Sequence, residues 1–129
     1  MGEHLPTLDA FLTLGAARTV RLEPADDARA LLLHLDRLNL VEIAFPAFRD
    51  GRGYSSARIL RQAGYTGPLR AAGDILLDQI VYMKRCGFDT FAPDAPLDAE
   101  AVKRALNRYD AVYQRAADDA IPVWQLRHG

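Results

Sequence analysis

A stretch of polar and glycine residues directly after an apolar run has the composition of a ligand-binding loop. Residues 45–58 read FPAFRDGRGYSSAR, and two glycines there allow backbone to approach a ligand closely. Arg52 and Arg58 can each direct a fork of N–H donors at an anion, and Ser55 or Ser56 can begin a helix whose free N–H groups attract negative charge. This composition predicts a site for sulfate, phosphate or a ligand that carries one.

A second polar group follows the next predicted strand. Asp74 leaves that strand at its carboxyl end, and Gln79 lies about one helical turn further on. Ligands of parallel α/β sheets bind beyond the carboxyl ends of the strands, so we expect this group to approach the loop 46–58. Asp74 would position a hydroxyl or an amine there. The predicted ligand-binding residues are Asp50, Arg52, Gly53, Tyr54, Ser55, Arg58, Asp74 and Gln79.

Structural roles compete with ligand binding at several of these positions. Asp74 is also a candidate N-cap of a helix, and Arg58 can pair with Asp50 or Glu42 to fix the loop. Arg52 stands between two glycines with no helix end of its own, which favours a binding role. Two arginines, Arg61 and Arg85, are expected in last helical turns, where a cation complements the helix dipole. Cys86 is expected to be a buried apolar filler.

The glycines also come close to a dinucleotide-binding fingerprint. Residues 51–56 nearly match G-x-G-x-x-G, and Asp74 lies near the spacing of the ribose-binding acid. However, residues 46–50 separate the strand from the first glycine, and Ser56 replaces the third glycine that allows close helix packing. The sequence therefore predicts no nicotinamide or flavin cofactor.

Composition restricts the class of protein. The chain has 129 residues, of which 50% are apolar and 26% charged, with a net charge of -1, as expected for a single soluble α/β domain over 1–129. Mixed charges exclude a nucleic-acid-binding stripe or a polybasic membrane patch, and the short apolar runs predict neither a membrane span nor a secretion signal. One cysteine and three scattered histidines predict no metal site. We expect a cytoplasmic protein.

Apolar periodicity predicts alternating strands and helices. Glycine or asparagine at Asn39, Gly64 and Gly87 marks the expected helix ends. The N-terminal extension 1–17 is weakly patterned, although Phe11, Leu12 and Leu14 are expected to cover one end of the core. The C-terminal tail 119–129 contains a candidate edge strand or docking segment at 121–126. Strands are predicted at 19–23, 40–45, 69–72 and 88–92, and helices at 26–38, 55–63, 74–86 and 98–118.

Repeated βα units with short loops predict a small parallel sheet of about four strands with right-handed crossovers. Helices on both faces would make a doubly wound sandwich. Helices on one face would make a half-barrel, whose apolar inner face would require dimerisation, so a homodimer is one expected partner.

Several segments together resemble the signature of one bacterial family, the domain-of-unknown-function family nine hundred and thirty-four. The similarity covers roughly residues 19–115. It implies a place beside sulfite reductase and other sulfate-assimilation genes, and members are labelled oxidoreductases or sulfur-assimilation proteins. The resemblance transfers no catalytic mechanism. The matching segments are 45–48, 50–55, 57–61, 64–65, 70–74, 78–79 and 85–89.

Three functions follow as hypotheses. The first is an accessory protein of sulfite assimilation that binds an anionic small molecule, or a sulfite reductase or related reductase, through the loop 46–58. The second is an enzyme, such as an oxidoreductase, in which Arg52 binds a sulfate- or phosphate-bearing substrate and Asp50 or Asp74 acts as acid or base. The third is a structural interaction protein without a ligand.

Overall fold

The computed structural model of the protein describes residues 5–113, with side chains described as far as residue 107. Each strand is followed by a helical segment, as the periodicity predicts. The elements are α1 (Leu8–Thr13), β1 (Thr19–Leu22), two 3₁₀ turns (Ala28–Leu31 and Leu35–Arg37), β2 (Leu40–Phe45), α2 (Arg52–Gln62), β3 (Leu69–Gly73), α3 (Leu77–Cys86), β4 (Thr90–Pro93) and α4 (Ala99–Tyr113).

The four strands form one parallel sheet in the order β1-β2-β3-β4, which confirms the predicted α/β fold. Right-handed crossovers that always advance to the next strand place every connecting helix on the same face. Accordingly, α2 packs beside the first 3₁₀ turn, α3 beside α2, and α4 beside α3. The described residues thus form the half-barrel rather than the doubly wound arrangement.

The core lies between the sheet and this helical layer. Alternate residues of β2, namely Val41, Ile43 and Phe45, face the helices and are at most 1% exposed. Leu60 of α2 and Ile80 of α3 pack onto this face and are fully buried. Every helix therefore contributes an apolar stripe to one continuous core.

The other face of the sheet carries an ionic row where the half-barrel prediction expects apolar residues. Arg21, Glu42 and Arg70 are register neighbours on β1, β2 and β3. The Glu42 carboxylate, only 7% exposed, accepts hydrogen bonds from both guanidiniums, at 2.8 Å from Arg70. A buried carboxylate needs such partners, because desolvation strongly disfavours an unpaired charge. The homodimer expected from an apolar inner face stays a prediction.

The predicted helix over 26–38 is wrong. Asp27 does cap a helical turn by accepting from the Arg29 amide, but the chain forms two short 3₁₀ turns instead of one α-helix. Leu33, which separates them, is 91% exposed. Hydrogen bonds to the N-terminal segment fix the second turn, since Arg37 donates to the carbonyls of Ala17 and Phe11. These tertiary contacts outweigh the helical pattern of the leucines.

The predicted helix ends are partly confirmed. Gly64 and Gly87 have left-handed φ values of 104° and 119°, and the aromatic residue after each is buried. Asn39 plays no such part, because the second 3₁₀ turn ends in extended backbone at Leu38. The stretch 114–118 of the predicted last helix and the tail 119–129 lie outside the described residues.

The N-terminal extension covers the core with fewer residues than predicted. Leu8 and Phe11 are buried, but Leu12 and Leu14 are 43% and 51% exposed. No helix among the described residues is long and apolar enough to cross a membrane.

Candidate functional site

The loop between β2 and α2 is clamped at Phe48 by two side chains from the next βα unit. Its amide donates to the Asp74 carboxylate at 3.0 Å, and its carbonyl accepts from the Gln79 side chain at 2.7 Å. The Asp74 amide in turn donates to the carbonyl of Phe45 at 2.8 Å. The sequence-predicted approach of Asp74 and Gln79 to the loop 46–58 is therefore found, but their contact is with the main chain of that loop.

Gln79 connects two exposed apolar residues. Besides holding Phe48, its side-chain oxygen accepts from the amide of Leu76 at 2.9 Å, which is half of a capping box at the start of α3. Phe48 is 37% exposed and Leu76 is 41% exposed. One amide group thus fixes the backbone beneath both side chains and leaves those side chains facing solvent.

Asp74 is not the N-cap of α3, contrary to the competing structural interpretation. That helix begins at Leu77 with Leu76 in the capping position. Gly73 explains the displacement: its φ is +121°, and an added Cβ would lie 2.4 Å from the carbonyl oxygen of Phe45. The chain turns sharply at this glycine, which directs Asp74 to the loop instead of to the helix.

The charge of Arg52 is matched by a neighbour. The sequence predicts Arg52 in an open loop. In the structure it is the first residue of α2. Its guanidinium donates to both carboxylate oxygens of Asp50, at 3.1 and 2.8 Å, and its amide donates to the same carboxylate at 3.0 Å. These hydrogen bonds from Arg52 lower the pKa of Asp50 to about 2. The carboxylate of Asp50 occupies the position at the helix N-terminus that the sequence assigns to a bound anion.

The second glycine of the motif serves packing. A Cβ at Gly53 would lie 2.6 Å from the ring of Phe45 and 3.0 Å from Ile43, so α2 crosses β2 at this residue. Gly51 has nothing within 4 Å of its Cβ position. At Gly53 the structure shows close contact between helix and sheet, and the prediction that the two glycines admit a ligand stays a prediction.

Tyr54 belongs to an aromatic group that runs from the core to the surface. Its ring centroid lies 5.3 Å from that of the buried Phe45 and 5.0 Å from that of Tyr82. Its hydroxyl accepts a hydrogen bond from Gln79 at 3.3 Å. Burial raises the pKa of Tyr54 above its ordinary value. Tyr54 therefore supports the same side chain that clamps the loop.

Arg58 and Ser55 lie further along α2, away from its start. The Arg58 guanidinium donates to the hydroxyl of Tyr82 at 2.9 Å, not to Asp50 or Glu42 as proposed from sequence. Cys86 and, to a lesser extent, Tyr82 raise the pKa of Arg58. Cys86 is buried, as predicted. Ser55 is exposed within the helix, because α2 begins three residues before it.

Arg61 has the structural role expected of it, but through carbonyls of distant loops. It donates to Gly87 at 2.8 Å, to Tyr65 at 3.0 Å and to Gly67 at 2.7 Å. It also forms an ion pair with Asp89 at 3.3 Å. This arginine ties the carboxyl end of α2 to the loops that precede β3 and β4, at the edge of the sheet opposite the loop 46–51.

Several polar groups of the predicted site therefore lie near one edge of the sheet, and each of them has a partner within the protein. Asp50 is paired with Arg52, and Asp74 with the Phe48 amide. No group of three or more histidine, cysteine, aspartate or glutamate side chains within residues 5–107 is placed to hold a metal ion. Sequence reasoning missed Phe48 itself; the signal was an aromatic residue inside a polar loop, where no core position was available.

The chain matches the model of a known protein family. Residues 19–124 fit the pattern of a family described as "Bacterial protein of unknown function (DUF934)". Neither the curated proteins nor the solved structures contain a significant match to this chain.

Proposed function

Because the chain belongs to this bacterial family of unknown function, and the family resemblance implies a place in sulfite assimilation, we propose that the protein is an accessory module that binds a reductase. Its binding surface is the loop 46–58, with Phe48 as the central contact residue. The observation that carries the proposal is the clamp of Asp74 and Gln79 on both main-chain groups of Phe48.

The clamp supports protein binding for an energetic reason. Phe48 keeps 37% of its surface exposed in the free protein, and two side chains fix the backbone beneath it. Aromatic residues dominate the binding energy of protein interfaces, and a contact residue that is already ordered loses less conformational entropy on association. Arg49 lies with its guanidinium 5.4 Å from the centroid of the Phe48 ring, which restricts the ring further.

The pairing of Asp50 with Arg52 favours this function over anion binding. An incoming sulfite or phosphate would have to displace a carboxylate that makes three hydrogen bonds, or lie against its negative charge. The enzyme hypothesis uses the same groups, and a carboxylate with a pKa of about 2 is a weak base at neutral pH. An anion must therefore displace Asp50 or bind beside its negative charge, and the enzyme hypothesis is left with Asp74, which accepts from the Phe48 amide, as its other acid or base.

A binding measurement tests the proposal. The full chain is immobilised and purified sulfite reductase is passed over it. Wild type is expected to bind, and Phe48→Ser should weaken binding by tenfold or more, about 1.4 kcal/mol or above. Leu33→Ser is the matched control, because Leu33 is also exposed but lies outside the loop. Absence of binding by wild type, or equal weakening by both variants, contradicts the proposal.

Thermal unfolding in the presence of sulfite, sulfate or phosphate separates the alternatives. A ligand that binds the folded state raises the melting temperature with its concentration. The accessory module predicts no rise that depends on Arg52. A rise in wild type that disappears in Arg52→Ala would support the anion-binding alternatives instead.

A further inference from the structure

A groove runs between α3 and α4, beside the proposed binding surface. It has a volume of about 460 Å³ and is lined by Leu77, Asp78, Val81, Ala101, Arg104 and Ala105. This volume lies within the range of about 300–1,000 Å³ that is typical of ligand pockets. The groove is large enough to receive a side chain from another molecule.

The spacing of the lining residues explains why the groove exists. Leu77 and Val81 are four residues apart on α3, and Ala101 and Ala105 are four residues apart on α4, so each pair shares one helix face. The alanines are too small to fill the space opposite the larger pair. All four are partly buried, which gives the groove an apolar floor.

Charges of opposite sign border this floor. Asp78 and Arg104 both line the groove and are exposed. Among the residues that the structure describes, neither forms an ion pair. An occupant that is apolar at its centre and carries a cationic group on one side and an anionic group on the other would match this border.

The groove begins close to Phe48. Leu77 lines the groove, and the main chain of its neighbour Leu76 binds the same Gln79 side chain as the main chain of Phe48. Phe48 and one end of the groove therefore both lie at the start of α3. A partner that covers Phe48 is in position to reach the groove.

We infer that the reductase partner inserts an apolar side chain into the groove between α3 and α4, with a lysine or arginine facing Asp78 and an acidic residue facing Arg104. This inference rests on the proposed function and adds a second contact to it. The partner chemistry follows from the apolar floor and from the two charges at its border, which form no ion pair within the part of the chain that the structure describes.

A groove-filling substitution tests the inference with immobilised chain and purified sulfite reductase. Ala105→Arg places a long side chain across the floor and should weaken binding by tenfold or more. Asn107→Arg, which adds the same charge at an exposed position of α4, is the control and should bind within about twofold of wild type. Melting curves of both variants establish that they fold.

A charge variant gives a second reading. Asp78→Lys lies at an exposed position in the first turn of α3, so the domain should still fold with a slightly lower melting temperature, while the association rate should fall and depend less on salt. If wild type and Ala105→Arg bind equally while Phe48→Ser does not, the inference is overturned and the proposed function stands. If wild type shows no binding, the proposed function itself fails.

Discussion

Gln79 donates a 2.7 Å hydrogen bond from its side chain to the carbonyl of Phe48, 31 residues earlier in the chain. The bond crosses from the start of α3 to the loop between β2 and α2. Together with the 3.0 Å contact between Asp74 and the Phe48 amide, it holds a loop whose own main chain forms a turn, in which the Asp50 amide donates to the carbonyl of Ala47 at 3.0 Å. The neighbouring βα unit thus adds two side-chain contacts to the main-chain turn of this loop.

Replacement of Gln79 should release the loop without unfolding the domain. In Gln79→Ala, the carbonyl of Phe48 and the amide of Leu76 lose their partner, which should cost about 1 kcal/mol because both groups are accessible to water. Hydrogen exchange of the amides of residues 47–50 should accelerate several-fold. Gln62→Ala, an exposed position at the end of α2, is the control.

Two substitutions of Asp74 test the other contact of the clamp, the hydrogen bond from the Phe48 amide. Asp74→Asn retains an oxygen that can accept from the Phe48 amide, so exchange in the loop should stay near wild type, whereas Asp74→Ala should resemble Gln79→Ala. Equal protection in Asp74→Ala and wild type would show that the clamp does not order the loop.

Gly53 should tolerate no side chain. A Cβ there would lie 2.6 Å from the buried ring of Phe45, so Gly53→Ala should lower the free energy of unfolding by about 1–3 kcal/mol through overpacking. Gly51→Ala is the matched control, with open space at its Cβ position and an expected change within about 0.5 kcal/mol. Urea denaturation measures both. A stabilised Gly53→Ala would contradict the packing role and reopen a ligand role for this glycine.

The architecture was predictable because it depends on periodicity. The alternating run at 19–23 and the apolar run at 40–45 each predict a strand. Gly64 and Gly87 end their helices because glycine readily adopts the left-handed backbone conformation. The prediction for the segment 26–38 is wrong because its leucines are spaced as in an α-helix, although the chain forms two 3₁₀ turns there. Contacts from Arg37 to the N-terminal segment, which are distant in sequence, decided its conformation.

The site was predictable as a place but not as a set of contacts. Topology brings the ends of β2 and β3 together, so Asp74 and Gln79 reach the loop as expected. The partner of each polar group depends on the local backbone conformation. The left-handed turn at Gly73 carries Asp74 toward Phe48, and the early start of α2 lets Arg52 meet Asp50. Neither contact corresponds to a motif that would predict it from the sequence.

The pairing of Asp50 with Arg52 predicts a measurable titration. Hydrogen bonds from Arg52 lower the pKa of Asp50 to about 2, so the pairing is complete above the ordinary carboxyl pKa of about 3.9 and is lost as the pH falls through 2. Carbon-detected NMR of the Asp50 carboxyl group should show this midpoint. In Arg52→Ala the midpoint should return toward about 3.9. An unchanged midpoint in that variant would mean that another group holds the carboxylate.

Tyr65 should determine the alkaline stability of the domain. The residue is 4% exposed, and burial raises its pKa to about 12, while its hydroxyl donates to the carbonyl of Pro68 at 2.9 Å. Because the folded pKa exceeds the unfolded value of about 10, the stabilisation is complete below pH 10 and is lost as the pH rises toward 12.

Ultraviolet absorbance of tyrosinate measures this ionisation directly. Wild type should show a late step near pH 12 that is absent from Tyr65→Phe, and the variant should lose less stability than wild type between pH 10 and 12. Tyr54 also ionises late because of its burial, so the difference between the two proteins, and not the wild-type curve alone, assigns the step. If the step missing from Tyr65→Phe lies near pH 10 instead, the Tyr65 hydroxyl is in contact with water and its hydrogen bond to the carbonyl of Pro68 is not formed.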